Sequence, residues 1–308
     1  MIGLGHFGGG AAAARWLARQ GAQVTVTDLA TADRLGDSLA ALEGEPIHQY
    51  VLGRHREEDF RNAELVVVNP AVQPTSPWIQ IARQAGARLT SEMQLFLETC
   101  RGRVVGVTGS NGKSTTAAMI AAVLRSAGRR VFLGGNIGHS LLDDVRAIEP
   151  GDHAVVELSS FQLFWLECGT RMPETAVITN FTPNHLDWHS DLAEYARAKQ
   201  RLFAGQKTSD MAIFDPSSPG LSDWAPLVRG RFVVSQASRE VAAVLVPGGV
   251  AKGATHKLPV HESKKPPSTA PPCSRRPAQA SNVLAAFVPP FHRRDSIAAA
   301  IANPPPVL

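Results

Sequence analysis

The chain has 308 residues, of which 44% are hydrophobic and 19% charged, with a formal net charge of +4. That length allows two domains, or three small ones. No apolar run is long enough to span a membrane, no basic segment leads into an apolar leader, and Cys100, Cys168 and Cys273 show no paired spacing, so the expectation is a cytoplasmic protein with free thiols.

The positive charge is local. Residues 241–308 hold eight Lys/Arg against two Asp/Glu, a net of +6, so the first 240 residues are net negative. A basic tail without interleaved aromatics is weak evidence for nucleic acid, and no nucleic-acid partner is expected.

The first residues read as a strand end, a glycine turn, a helix over Ala11–Gln20 and a strand over Val24–Thr27 that ends at Asp28. Gly3-Leu4-Gly5-His6-Phe7-Gly8 fits G-x-G-x-x-G. An acidic residue after the second strand is where a Rossmann-type unit grips a ribose or a base. Alone, the turn leaves NAD, another nucleotide, or simple helix packing open. Only Met1 and Ile2 precede Gly3, so the first strand is expected to be short, as a start site placed too late would make it.

The α/β rhythm continues. Leu65–Val68 is a wholly apolar strand, Pro77 opens a helix, and Ser91 is a candidate cap for the segment that follows Arg88–Thr90. A domain boundary is expected at residues 92–100.

Val104, Val105 and Val107 then lead into Gly109-Ser110-Asn111-Gly112-Lys113-Ser114-Thr115 and an Ala/Ile/Leu-rich helix. Strand, glycine loop, Lys-Ser and helix hold nucleotide phosphates: loop N–H groups and the helix N-terminus attract the anion, the lysine reaches the outer phosphates and the hydroxyl holds Mg²⁺. The usual pattern has a glycine five residues before Gly112, where this chain has Val107.

Farther on, Arg130–Leu133 is a strand before Gly135-Asn136-Ile137-Gly138, and His153–Glu157 is a strand ending in a carboxylate. Glu157 is either a Mg²⁺ anchor beside the phosphate loop or a surface glutamate. Thr175–Thr179 forms another strand, followed by His185, Asp187 and His189, whose spacing does not suit a helical zinc site.

The helix over Asp191–Phe203 places Lys199 on the apolar stripe of Leu192, Tyr195, Ala196, Leu202 and Phe203. Such a lysine either snorkels to the surface or has its pKa depressed. In the second case its amine could take up CO₂ as a carbamate, an anion able to ligate Mg²⁺.

Met211–Phe214 and Arg231–Ser235 are the last strands. Residues 259–308 contain 11 of the chain's 22 prolines and are expected to be irregular up to Asn282, where a helical pattern returns.

Five motifs in order resemble the Mur ligases, ATP-dependent amide-bond-forming enzymes of peptidoglycan synthesis. They are Thr108–Thr115, Gly135–Gly138, Glu157–Leu163 (ELSSFQL), Asn180 with His185-Leu186-Asp187, and Tyr195 with Ala198-Lys199. The resemblance covers residues 1 to about 235 and is nearest to the branch that adds D-glutamate to UDP-N-acetylmuramoyl-L-alanine.

It implies an α/β protein. A Rossmann-like domain (1–95) would bind the UDP-substrate, and a central P-loop ATPase-type domain (96–240) with a parallel-rich sheet would bind ATP. The Gly109–Thr115 loop, with Ser110, Asn111, Gly112, Lys113 and Ser114, would hold the phosphates. Ser114 and Glu157 would hold one Mg²⁺, and His185 with carbamylated Lys199 the second. Asp28 would meet the uracil, Asn136 would touch the muramoyl substrate, and Ser159 belongs with the substrate-binding residues. Lys113, His185 and Lys199 would be the catalytic set, acting in a cytoplasmic monomer.

Two departures stand out: Asn184 where the family has an acidic residue, and Asn69 where it commonly has serine. The family's third domain, which binds the incoming amino acid, has no recognisable signature here, and Asn282–Ala286 resembles only the helix before it. This fits a reading-frame disruption between about residues 240 and 280, and the alternative expectation of a two-domain remnant that binds nucleotide without ligation. A sibling amino-acid-adding ligase is disfavoured by the N-terminal glycine turn and Phe161-Gln162.

Overall fold

The computed structural model describes residues 1–235. The Pro-rich segment at 241–308 and the helix expected from Asn282 lie outside the described residues. Two compact units divide the chain between Glu92 and Met93.

In the first unit, β1 (Thr25–Asp28) pairs in parallel with β2 (Gln49–Leu52), and β3 (Leu65–Val67) pairs in parallel with β4 (Arg88–Thr90). Ile2 makes parallel bridges to both Thr27 and Val68. Residues 1–3 therefore stand in the middle of the strands, with the Ile2 N–H on Val67 O and the Gly3 N–H on Thr27 O. The expected first strand is present as this single bridging residue.

Helix α1 (Gly9–Arg19) begins two residues earlier than expected. A Cβ at Gly10 would lie 2.1 Å from Leu4 O, so only glycine lets this helix touch the glycine turn. The other helices are α2 (Gly36–Ala40), α3 (Glu57–Arg61) and α4 (Pro77–Gln84). α2 and α3 have five residues each, too few for a clear period in the sequence.

The second unit opens within α5 (Glu92–Thr99) and holds β5 (Arg103–Thr108), α6 (Lys113–Ser126), β6 (Val131–Gly135), β7 (His153–Glu157), α7 (Ser160–Phe164), β8 (Thr175–Ile178), α8 (Leu192–Ala204), β9 (Met211–Phe214) and β10 (Arg231–Val234). The strands form one parallel sheet in the order β10-β9-β8-β5-β7-β6.

Burial explains their composition. Val105, Val107, Val155, Val177 and Ile213 pack with Ala117, Ile120, Ala121 and Leu124 of α6 in one core. β5 lies between β7 and β8, and the chain visits one side of it before the other. The crevice at the carboxyl end of β5 is therefore a topological switch point, where open α/β sheets bind ligands.

Candidate active site

Val107 explains the variant loop. It is still in the strand, fully buried and paired with Glu157 and Val177. The required glycine sits two residues later. Gly109 has φ 146°, and a Cβ there would fall 1.9 Å from Thr179 Oγ1. The loop thus lies against the end of β8.

Several bonds keep it there. The Ser110 N–H donates to Asn180 O (3.1 Å), and the Asn111 N–H to Asn180 Oδ1 (3.0 Å). Thr179 Oγ1 and Asn180 Nδ2 donate to Asn111 O. Ser110 Oγ donates to Thr182 O (2.8 Å) and accepts the Thr182 N–H (2.9 Å). Its one proton is spent, so the Tyr195 hydroxyl 3.0 Å away donates to it. Ser110 and Asn111 thus use these groups to hold the loop. The first-turn N–H groups of α6, from Lys113 onward, have no carbonyl partner within the helix.

Beside them, Ser114 Oγ donates to Glu157 Oε2 (2.7 Å), and Asn136 Nδ2 donates to Glu157 Oε1 (3.0 Å). Glu157 is buried at the end of β7, so this is no surface glutamate. The Asn136 N–H also donates to Glu157 O (2.9 Å), and Lys113 Nζ donates to Ser110 O (3.2 Å). A hydroxyl and a carboxylate in contact are hard oxygen donors suited to Mg²⁺. Ser159 acts locally as the cap of α7, its Oγ accepting the Gln162 N–H (3.2 Å) while its own N–H donates to Gln162 Oε1 (3.0 Å).

Lys199 does not snorkel. It is 2% exposed, and its Nζ donates to Gly109 O (2.9 Å) and sits 4.7 Å from the Tyr195 ring centroid. Burial first, and the Lys113 charge second, lower its pKa to about 7. Tyr195, Leu202 and Phe203 of its stripe are buried and Ala196 is half-buried, whereas Leu192 is 39% exposed at the first turn of α8, next to the Asp191 cap.

His185 has the left-handed φ of 55° and its ring centroid lies 4.8 Å from that of Phe161. Burial chiefly, then Lys199 and Lys113, lower its pKa against the pull of Asp187. His189 is buried, with Nε2 3.0 Å from Ser160 Oγ and its ring against Phe161, Trp188 and Tyr195. Among the described residues, no three His, Cys, Asp or Glu side chains gather into a metal-binding group. A cation at Ser114–Glu157 would need further oxygens from a ligand, the usual way Mg²⁺ binds with nucleotide phosphates.

The first unit has its own cavity of about 450 Å³, whose walls include Gly3, Gly5, Asp28, His55, Asn69 and Trp78. Asp28 organises the glycine turn. Its Oδ2 accepts the N–H groups of Leu4 (2.7 Å) and Gly5 (3.4 Å), and its Oδ1 accepts that of Ala30 (2.8 Å). No sequence signal marks His55, which belongs to no motif and lies 27 residues beyond Asp28.

A phosphate loop at the switch point of a parallel sheet, with a Ser–Glu pair at its mouth, defines a nucleotide-binding α/β protein. The family is specific. The Mur ligase middle domain matches residues 107–243, and the Mur ligase MurD-like N-terminal domain matches residues 1–91. Over these residues the chain belongs to the Mur ligase family.

Among curated relatives, the UDP-N-acetylmuramoylalanine--D-glutamate ligase of Roseiflexus sp. (strain RS-1) is 43% identical over 241 residues, covering 78% of this chain and 50% of that protein. The ligase of the same name from Geobacter metallireducens is 40% identical over 242 residues, covering 79% and 52%. The chain thus spans about half the length of these relatives. In fold alone, it resembles the UDP-N-acetylmuramate:L-alanyl-gamma-D-glutamyl-meso-diaminopimelate ligase of Neisseria meningitides, with a TM-score of 0.50, 19% identity and 76% of each chain covered.

Proposed function

We propose that this chain supplies the ATP-binding and UDP-substrate-binding parts of a cytoplasmic, monomeric ligase that adds D-glutamate to UDP-N-acetylmuramoyl-L-alanine. The Ser114–Glu157–Asn136 chain of hydrogen bonds at the phosphate loop carries this reading, together with the relatives' names. Residues 1–95 are assigned to the UDP-substrate and residues 96–240 to ATP.

ATP with Mg²⁺, when bound, would supply the γ-phosphoryl group that turns the substrate carboxylate into an acyl phosphate with release of ADP, and the D-glutamate amine would then displace phosphate to leave the amide. The protein's own groups position and neutralise. The N-terminus of α6 and Lys113 hold the phosphates in place, where fixed charges cost no reorganisation. Ser114 and Glu157 would supply oxygens for one cation. His185 and Lys199, the latter as its carbamate, would hold the second. A buried amine with a pKa near 7 is substantially neutral at physiological pH, and the neutral amine is the form that adds CO₂. Asn136 and Ser159 are assigned to the muramoyl substrate and Asp28 to the uracil side.

The test is phosphate release from ATP by the purified chain. Release that requires both UDP-N-acetylmuramoyl-L-alanine and D-glutamate supports ligation. Mg²⁺-dependent ATP binding without it restricts the chain to nucleotide and substrate binding. Failure to bind either nucleotide overturns the reading.

A further inference from the structure

Thr27 has one hydroxyl proton and two close neighbours. Its Oγ1 donates to Arg54 O over 3.1 Å and stands 2.6 Å from His55 Nδ1. One proton cannot serve both contacts; with Arg54 O taking the hydroxyl proton, the shorter contact requires an N–H on His55 Nδ1. Thr27 is 3% exposed in β1, where no bulk water competes for the hydroxyl.

A neutral imidazole with its proton on Nδ1 carries a lone pair on Nε2. Burial is the leading influence on His55 and lowers its pKa, which favours the neutral ring; Asp28 and Asp59 pull the other way. The ring is also held in place. Its centroid lies 5.7 Å from Phe60 and 5.3 Å from Trp78, both edge-on, while those two rings stack at 5.4 Å. His55, Trp78 and Asp28 all line the 450 Å³ cavity.

We infer that His55 is a specificity-determining residue of this cavity, its Nε2 accepting the ring N–H of a uracil-type base. The inference rests on the reading of the cavity as the uridine diphosphate site. Uracil offers an N–H between its two carbonyls; cytosine offers a bare acceptor nitrogen at the same position. A histidine free to exchange tautomers would pair with either base. Thr27 prevents the exchange, because moving the proton to Nε2 would leave the buried hydroxyl with two acceptors and one proton. Facing a cytosine, the two lone pairs would then repel, and an unpaired polar site is a strong means of rejection.

The experiment is calorimetric titration of the full chain with uridine 5′-diphosphate, its N3-methyl derivative and cytidine 5′-diphosphate. The wild type is expected to bind the first at least roughly tenfold more tightly than the other two, the value of one well-placed hydrogen bond. His55→Ala should shrink that preference to within about twofold. Thr27→Val should narrow the gap to the cytidine nucleotide. Long-range proton–nitrogen correlations on histidine-labelled wild type read the tautomer without any substitution and should find the proton on Nδ1. An undiminished uridine preference in folded His55→Ala, or a proton on Nε2, overturns the role of His55 while uridine diphosphate binding still upholds the cavity's identity. No binding of uridine diphosphate by the wild type overturns the cavity reading, and this assignment with it.

Discussion

Lys199 Nζ donates to the carbonyl of Gly109 over 2.9 Å, joining α8 to the phosphate loop across 90 residues of sequence. This bond fixes an amine that burial has already made reluctant to carry charge. It also sets the first prediction.

Lys199 has a pKa of about 7 in the folded protein and an ordinary value of 10.5 otherwise. Between those values the unfolded chain holds a proton that the folded one does not. Stability should therefore rise with pH from about 7 to 10.5, and the full cost of the buried charge is present below 7. Lys199→Met should remove this slope, gaining on the order of a few kcal/mol over wild type at low pH. Urea midpoints measured from about pH 6 to 10 check it. A wild-type slope in the variant would refute the assignment.

Gly109→Ala tests the loop's contact with β8. The added methyl meets Thr179 Oγ1 at 1.9 Å, and the φ of 146° is already one that side chains avoid. The variant should lose about 2–4 kcal/mol of stability and its ATP affinity. Val107→Gly, aimed at the common motif, should also destabilise, by about 2–3 kcal/mol, because Val107 is buried in the sheet. Thermal melts and a fluorescent ATP analogue measure both.

Glu157→Gln separates metal binding from folding. The amide can still meet Ser114 Oγ and Asn136 Nδ2 in part, but it lacks the charge that attracts a cation. Mg²⁺-dependent ATP binding should fall by at least roughly tenfold with little change in the melting temperature. Titration of Mg²⁺ at fixed ATP reads the effect.

Asp28→Asn tests the glycine turn. The carboxylate accepts three backbone N–H groups, and an amide must turn an N–H toward at least one of them. The expected cost is about 1–3 kcal/mol, with weaker binding of uridine diphosphate. Calorimetry with that nucleotide and denaturant unfolding report the two effects separately.

Much of the site is legible in the sequence because its groups sit at strand ends. The β7 strand and Glu157 follow from HAVVE, and the loop from GSNGKS. The burial of Lys199 is visible as a break in an apolar stripe. Other features are not legible. The short helices α2 and α3 carry too few turns to show a period. The 3-10 turn at Ser222–Leu227 contains a proline and reads as a loop, yet it buries Trp224. Leu192 reads as core and is 39% exposed.

By itself, the sequence determined the strand–loop–helix order, the glycines and the chemistry of the loop, because local propensity and motif spacing are properties of adjacent residues. Only the tertiary structure decided which glycine the loop needs, that Ser110 anchors it through Thr182 and Tyr195, and that Thr27 Oγ1 stands against Nδ1 of His55. Each of those depends on a partner distant in the chain. A close approach or a proton's location is settled by the group opposite, and no local spacing names that group.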